Sequence, residues 1–143
     1  MTLWLSGCAA PPGSYKHFIM KMSDKEASNY YNTEGLCRIL SEHHRHMSDP
    51  FISPNAEVGK DRRERILDLI SGKNTFSNEE MRLISNRRIR QGMSELAAYC
   101  SWGFPVRSND SSGSWGWHRQ AILRNDRYLY IENGKLESWQ TYN

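Results

Sequence analysis

Apolar residues in the first third of the chain recur at the spacing of one helix face. Leu36, Ile39 and Leu40 follow one another at intervals of three and one, which is typical of an amphipathic helix with one buried side. The pattern predicts a helix that begins at Thr33 and ends near Met47. Its apolar side needs a second element to cover it, because such a helix buries too little surface to fold alone.

Segments of different composition flank this helix. Residues 1–22 are predicted to be a flexible leader, and Ser23 before an acidic turn predicts the cap of a short first helix. Together the two helices form a predicted N-terminal helical arm over residues 23–48. Residues 49–60 contain two prolines and a glycine and are predicted to be a linker.

Three helix patterns follow the linker in close succession. DRRERILDLISG, which starts at Asp61, carries one apolar side and ends in the glycine expected after a helix. FSNEEMRLI contains a capping box formed by Ser77 and Glu80. SNRRIRQGMSELAAY begins at another cap and predicts a third helix over about residues 86–99. Three helices with short turns are typical of a helix-turn-helix unit.

Strand patterns occupy most of the remaining chain. Gly103 is predicted to end the third helix, and a β-hairpin is predicted from FPVRS and SWGWHR, with NDSSG as its flexible tip. A second hairpin is predicted from YLYIENGKLESW, because Asn133-Gly134 joins two alternating runs and favours a two-residue turn.

The segment over residues 61–119 resembles the winged helix-turn-helix DNA-binding domains. The likeness rests on RILDLISG, SNEEM and SNRRIRQGMSEL as the three helices and on WGFPVRS and GSWGW as the wing. The segment is similar in particular to the N-terminal domain of biotin repressors and to small phage and bacterial regulators. The resemblance implies an α+β fold with a three-helix core and a β-hairpin wing. The helical arm would precede this domain, and residues 120–143 would extend it with the second hairpin.

Positive charge is concentrated in the same segment. The whole chain carries a net charge of only +3. Between residues 82 and 119, however, six arginines face only two acidic residues, Glu95 and Asp110. A local excess of arginine is typical of a nucleic-acid-binding surface.

The third helix is expected to enter the major groove of double-stranded DNA. Arginine donates paired hydrogen bonds to guanine, and asparagine and glutamine do the same with adenine. The wing is expected to contact a neighbouring groove or the phosphate backbone. The candidate DNA-binding residues are Asn86, Arg87, Arg88, Arg90, Gln91, Ser94, Arg107, Asn109, Ser111, Ser112 and Arg119.

Two functions are the main alternatives, and RNA binding also remains open. The first is double-stranded DNA binding, as a phage or bacterial transcription regulator or a site-binding accessory factor. The second is a non-enzymatic protein-interaction adaptor on the same scaffold, for example a phage factor that captures a host protein. Since many such modules act as dimers, a homodimer or protein contact is expected at the C-terminal hairpin through Tyr128, Tyr130 and Trp139.

The cysteines indicate a reducing compartment. Cys8, Cys37 and Cys100 are odd in number and form no CxxC pair, so they do not indicate a disulfide framework. Cys100 is expected to be an inert buried thiol, and the protein is expected in the cytoplasm. Leu5-Ser6-Gly7-Cys8 resembles a bacterial lipoprotein cleavage box, but no basic residue precedes it and the apolar run is short for an export signal.

No metal site, cofactor or enzymatic activity is expected. Cys37 and the nearby His43, His44 and His46 suggest zinc, but structural zinc usually needs four closed ligands. The alternative is a solvated helix end with histidines near its C-terminal dipole. No GxSxG, HExxH or phosphate-cradling glycine loop occurs, and no stretch approaches the length of a membrane span.

Overall fold

The computed structural model describes residues 22–47 and 56–142, with the backbone alone at 43–47 and 56–61. In this part of the chain five helices precede a four-stranded antiparallel sheet, which confirms the expected α+β class. The elements are α1 (Asp24–Tyr30), α2 (Thr33–Met47), α3 (Ala56–Gly72), α4 (Asn78–Ser85), α5 (Glu95–Trp102), β1 (Arg107–Gly113), β2 (Gly116–Leu123), β3 (Arg127–Glu132) and β4 (Lys135–Thr141). The leader up to residue 21, with its Leu5-Ser6-Gly7-Cys8 box, lies outside the described residues, as do residue 48 of the predicted arm and residues 49–55 of the predicted linker.

Serine caps begin three of the helices. Ser23 and Ser77 each form a reciprocal capping box with the glutamate three residues later, which confirms both predicted starts. Ser94 caps α5, and its backbone N–H donates to Glu80 Oε1 at 2.7 Å. Glu80 therefore satisfies backbone donors at the beginning of α4 and next to α5.

The helix predicted to start at Asp61 starts earlier, at Ala56. Both linker prolines precede residue 56, so the missing N–H of proline does not interrupt the segment that follows. Residues 56–65, AEVGKDRRER, are mostly good helix formers, and they outweigh the single unfavourable Gly59. The predicted end is confirmed, since α3 stops at Gly72.

The helix predicted over residues 86–99 is wrong at its start. The chain leaves α4 in a Schellman turn, in which Arg88 N donates to Leu83 O at 2.9 Å and Arg87 N donates to Ile84 O at 3.1 Å. Residues 86–94 contain no helix, and α5 begins only at Glu95. The apolar spacing was misleading, because the loop between the two helices places its own apolar side chains at the core, with Met93 buried.

The strands form one continuous meander in the order β1-β2-β3-β4. The predicted turn at Asn133-Gly134 is confirmed, and both of its residues have positive φ, at 48° and 79°. The two predicted hairpins are joined, because β2 also pairs with β3. The first strand lies at Arg107–Gly113 rather than 104–108, so the predicted NDSSG tip belongs to a strand. The winged-helix topology is not confirmed.

One face of the sheet packs against the helices. Ala121, Leu129 and Leu136 from three strands share a single buried cluster with Leu36 of α2 and Ile66 of α3. Residues of the predicted helical arm and of the predicted C-terminal extension therefore contribute to the same core. Burying this apolar surface is the main favourable contribution to folding.

Cys37 and Cys100 form a disulfide that joins α2 to α5. The expectation of an inert thiol at Cys100 is therefore wrong, as is the interpretation of the cysteines as a set without a disulfide. The two residues are 63 positions apart, and only the packing of α2 against α5 brings them within bonding distance.

Candidate binding surfaces

Asn86 and Ser94, two of the predicted DNA-binding residues, have local structural roles. Asn86 is the C-cap of α4, and its Nδ2 donates to Arg82 O at 2.8 Å. The Ser94 hydroxyl oxygen accepts a hydrogen bond from Ala97 N at 3.3 Å. Both side chains satisfy backbone groups at helix ends, where the helix itself provides no partner.

Arg90 and Gln91 are paired with acidic side chains. Arg90 Nη1 lies 2.9 Å from Glu79 Oε1, and Arg82 shares the same carboxylate at 2.8 Å. The hydrogen bond from Arg82 is the main reason that the pKa of Glu79 is lowered. Gln91 Nε2 donates to Glu137 Oε1 at 3.4 Å. The positive charge expected on this face is thus partly neutralised within the protein.

All three nitrogens of the Arg119 guanidinium group donate hydrogen bonds to carboxylates of the protein itself. Its Nε and Nη2 donate to the two carboxylate oxygens of Asp110, each at 2.8 Å, and its Nη1 donates to Glu95 Oε1 at 2.7 Å. The hydrogen bonds to Asp110, followed by those to Glu95 and Tyr99, raise the pKa of Arg119 despite opposing desolvation. Burial, and next the hydrogen bond to Glu95, raises the pKa of Tyr99. Through its ion pairs with Asp110 and Glu95, Arg119 joins β2 to β1 and to α5.

The predicted DNA-binding residues do not form one continuous surface. Residues 91–94 lie beside β4, where Gly92 N donates to Leu136 O at 2.8 Å. The predicted wing residues Arg107, Asn109, Ser111 and Ser112 lie in β1, at the opposite edge of the sheet. Three strand spacings, or roughly 14 Å, separate β1 from β4. Gln91 and Ser94 therefore lie near one edge of the sheet, and the predicted wing residues of β1 lie at the other edge.

The second face of the sheet, here called the outer face, carries a row of hydrogen-bonded side chains. Asn109 Nδ2 donates to Gln120 Oε1 at 2.9 Å, and Gln120 Nε2 donates to Tyr130 Oη at 3.4 Å. Tyr130 Oη donates in turn to Gln140 Oε1 at 2.7 Å. This ladder runs across all four strands. The strand register places eleven residues on the outer face: Arg107, Asn109, Ser111, His118, Gln120, Ile122, Tyr128, Tyr130, Glu132, Ser138 and Gln140.

Further contacts on the outer face also stay close to the sheet. The rings of Tyr128 and Tyr142 meet edge to face, with their centroids 5.7 Å apart. His118 Nε2 lies 3.3 Å from Glu132 Oε1, without hydrogen-bonding geometry. A shallow depression of about 440 Å³ lies among the polar side chains around Gln120. In the part of the chain that the structure describes, no hydrogen bond, ion pair or ring contact joins these side chains to a helix.

Trp139 does not belong to the outer face. The register pairs it with Leu129, whose side chain is in the core, and its ring lies 6.5 Å from that of Trp102 in α5. Of the three aromatic residues predicted for a partner contact, the structure therefore places Tyr128 and Tyr130 on one face and Trp139 on the other.

Arg87 lines a separate cleft of about 420 Å³. The arginine cleft is defined by Arg38, Glu42, Arg87, Trp102, Phe104, Pro105, Val106, Arg124 and Arg127. Arg88, the following residue in the chain, is exposed, and its carbonyl accepts a hydrogen bond from Ser101 Oγ at 2.5 Å. Sequence reasoning missed Arg38, Arg124 and Arg127. Only the two arginines of the RNDR turn are close in sequence, and no local signal connects them with Arg38.

No family model, no curated protein and no solved structure matches this chain.

The zinc alternative loses one of its ligands, since Cys37 is part of the disulfide. The side chains of His43, His44 and His46 lie outside the described residues. Among the described residues, no group of three or more histidine, cysteine, aspartate and glutamate side chains has the geometry to hold a metal ion. None of the described helices has both the length and the apolar character of a membrane span.

Proposed function

We propose that this protein is a non-enzymatic binding module that contacts a protein partner through the outer face of its sheet. The proposal rests on the ladder from Asn109 to Gln140, which fixes polar side chains and Tyr130 before any partner arrives. Ordering side chains at an interface has an entropic cost, and a preformed surface avoids part of it. Tyrosine is also enriched at protein interfaces, because it combines a large apolar ring with a hydrogen-bonding group.

The charges on the outer face fit a protein better than a nucleic acid. Arg107 lies at one end of the face and Glu132 at the other. Binding to duplex DNA draws on several positive groups that neutralise successive phosphates. A surface with both signs of charge, separated along the strands, instead complements a partner that carries both signs. Protein surfaces have this character.

The DNA-binding hypothesis depended on a recognition helix over residues 86–99, and most of the residues expected to read DNA lie outside the helix that forms. Residues 86–94 do not lie on a helix, so Arg87, Arg90 and Gln91 do not share the helical face expected to enter the major groove. Double-stranded DNA binding, with the transcription or phage role attached to it, is accordingly the rival proposal. The same purified protein tests both.

The disulfide changes the expected compartment. Disulfides persist in oxidising environments and are rare in the cytoplasm, so the Cys37–Cys100 bond favours an extracytoplasmic location over the cytoplasmic one expected from the sequence. A transcription regulator acts in the reducing compartment, and the disulfide therefore also favours a protein partner.

Site-specific photo-crosslinking in the producing cells tests the proposal. A benzophenone amino acid replaces Gln140, an exposed residue at the end of the ladder, and in a matched control it replaces Ser71, an exposed residue of α3. We expect one defined protein adduct from position 140 and none from position 71. The adduct is identified by mass spectrometry, and the partner is then purified for binding measurements.

Three results would count against the proposal. Equal adducts from both positions would indicate non-specific proximity. The absence of an adduct at 140 would leave the outer face without a partner. An adduct of this chain with itself would assign the face to self-association instead.

A further inference from the structure

The arginine cleft collects positive charge that the described part of the protein leaves uncompensated. Four arginines and one acidic residue, Glu42, line it. Arg38 is engaged elsewhere, since its guanidinium pairs with Glu34 at 2.8 Å and lies 4.0 Å from the centroid of the Phe104 ring. No carboxylate of the described residues lies within ion-pair distance of the other three arginines, Arg87, Arg124 and Arg127.

Arg127 is the most constrained of these side chains. It is partly buried, and its guanidinium lies 5.3 Å from the centroid of the Trp102 ring. Among the described residues it donates only to carbonyl oxygens, those of Trp102 at 3.3 Å and Arg124 at 3.4 Å. Burial, together with the nearby charge of Arg87, lowers the pKa of Arg127. A half-buried cation next to a second cation is unfavourable unless an anion approaches both.

Arg87 occupies a backbone position that favours glycine. It follows the C-cap of α4 with φ at 55°, and its N–H closes the inner bond of the Schellman turn. This position usually holds glycine, because a side chain disfavours the left-handed conformation. An arginine there has a conformational cost and adds a like charge beside Arg127. Neither effect stabilises the fold, so the side chain calls for another explanation.

We propose that the arginine cleft binds a small ligand that carries a phosphate or carboxylate group attached to an apolar body. Arg87, Arg124 and Arg127 provide the planar donors that suit both oxyanions. Trp102, Pro105 and Val106 provide an apolar wall, and Val106 is 57% exposed. The cleft volume lies within the usual range for small-molecule sites. This site is separate from the outer face and does not depend on it.

Nuclear magnetic resonance titration identifies the anion. The probes are phenyl phosphate, phenylacetate and the neutral phenylacetamide, each added to the full chain at constant ionic strength. We expect saturable shifts of the Trp102 indole N–H and of the Arg87 and Arg127 side chains with one or both anions, and none with the amide. The anion that binds with the higher affinity identifies the natural head group as a phosphate or a carboxylate.

Arg87→Gly separates binding from folding. Glycine suits the positive φ at this position, so we expect the variant to unfold at the same temperature as the wild type or at a higher one. Loss of one of the three donors should nevertheless weaken anion binding about tenfold or more. Asn74→Gly is the matched control, because Asn74 also has positive φ, at 53°, and follows the end of α3, away from the cleft.

Arg127→Gln provides a second test within the cleft, and we expect it to weaken binding as well. The proposal fails if neither anion saturates at millimolar concentration, or if the amide produces the same shifts. It fails equally if Arg87→Gly binds as tightly as Asn74→Gly. None of these results bears on the outer face, whose partner is tested by crosslinking.

Discussion

Cys37 in α2 and Cys100 in α5 are joined by a disulfide between two fully buried positions in the helical half of the core. Because these residues are 63 positions apart, the bond constrains a long segment that includes α3 and α4. It links the predicted helical arm covalently to the helix that precedes the sheet.

Removal of the disulfide should reduce stability without removing any helix. A closed loop of this length lowers the entropy of the unfolded chain by an amount worth about 4 kcal/mol. We expect Cys37→Ser combined with Cys100→Ser to lower the free energy of unfolding in urea by up to that amount. Added reductant should do the same to the wild type and leave the double variant unchanged. Equal stability of oxidised and reduced wild type would contradict the disulfide.

Arg119 should matter more for stability than the exposed arginines do. Arg119→Met leaves Asp110 without its ion-pair partner and leaves Glu95 with the Tyr99 hydroxyl as its remaining hydrogen-bond donor, so we expect a lower unfolding temperature than that of the wild type. The matched variant Arg90→Met removes an ion pair whose arginine side chain is 66% exposed, and such pairs contribute little. Thermal unfolding of both proteins checks the difference. Equal losses would show that Arg119 does not hold the sheet against α5.

Glu80 should make stability depend on acid. Burial raises the pKa of Glu80, but the hydrogen bonds from Ser94 and Ser77 together lower it by more than burial raises it. The pKa of Glu80 therefore lies below the ordinary 4.5. A lowered folded-state pKa stabilises the protein above the unfolded-state pKa, and this contribution is lost as the pH falls through the folded-state value.

Glu80→Gln tests that dependence. The variant keeps an oxygen acceptor but cannot ionise. We expect its deficit in unfolding free energy to be constant from neutral pH down to about 4.5 and to shrink at lower pH. Urea unfolding across this range measures it. A deficit that grows as the pH falls would have the wrong sign.

Local signals in the sequence predicted local structure correctly. The Ser77–Glu80 capping box and the Asn133-Gly134 turn both form as expected, because each depends on hydrogen bonds or φ angles within a few residues. The α+β class, which the resemblance to winged helix-turn-helix domains implied, is confirmed as well. The strand β1 was misplaced, because an edge strand with all seven residues exposed has no apolar alternation to reveal it.

Long-range relationships were not visible in the sequence. Met93 continues the helical spacing of Ile89, although the chain between them has already left α4 through the Schellman turn. The disulfide and the arginine cleft both join α2 to segments that lie far along the chain. Only the packed structure brings such residues together, and the candidate surfaces accordingly differ from the predicted recognition helix and wing.

The affinity of the crosslinked partner for two sets of variants tests the central claim most directly. Tyr130→Ala removes the middle of the ladder, and Ser138→Arg adds bulk at an exposed position beside it without removing a packed side chain. The double charge reversal Arg87→Glu with Arg90→Glu alters the predicted DNA-reading segment instead. Partner and random duplex DNA are each titrated by fluorescence anisotropy.

We expect each outer-face variant to weaken partner binding about tenfold or more, and the charge reversal to leave it unchanged. We also expect no salt-dependent binding to the duplex by the wild-type protein. The opposite pattern would contradict the account: duplex binding with a steep salt dependence, lost on charge reversal and insensitive to Tyr130→Ala and Ser138→Arg, would return the protein to the DNA-binding class.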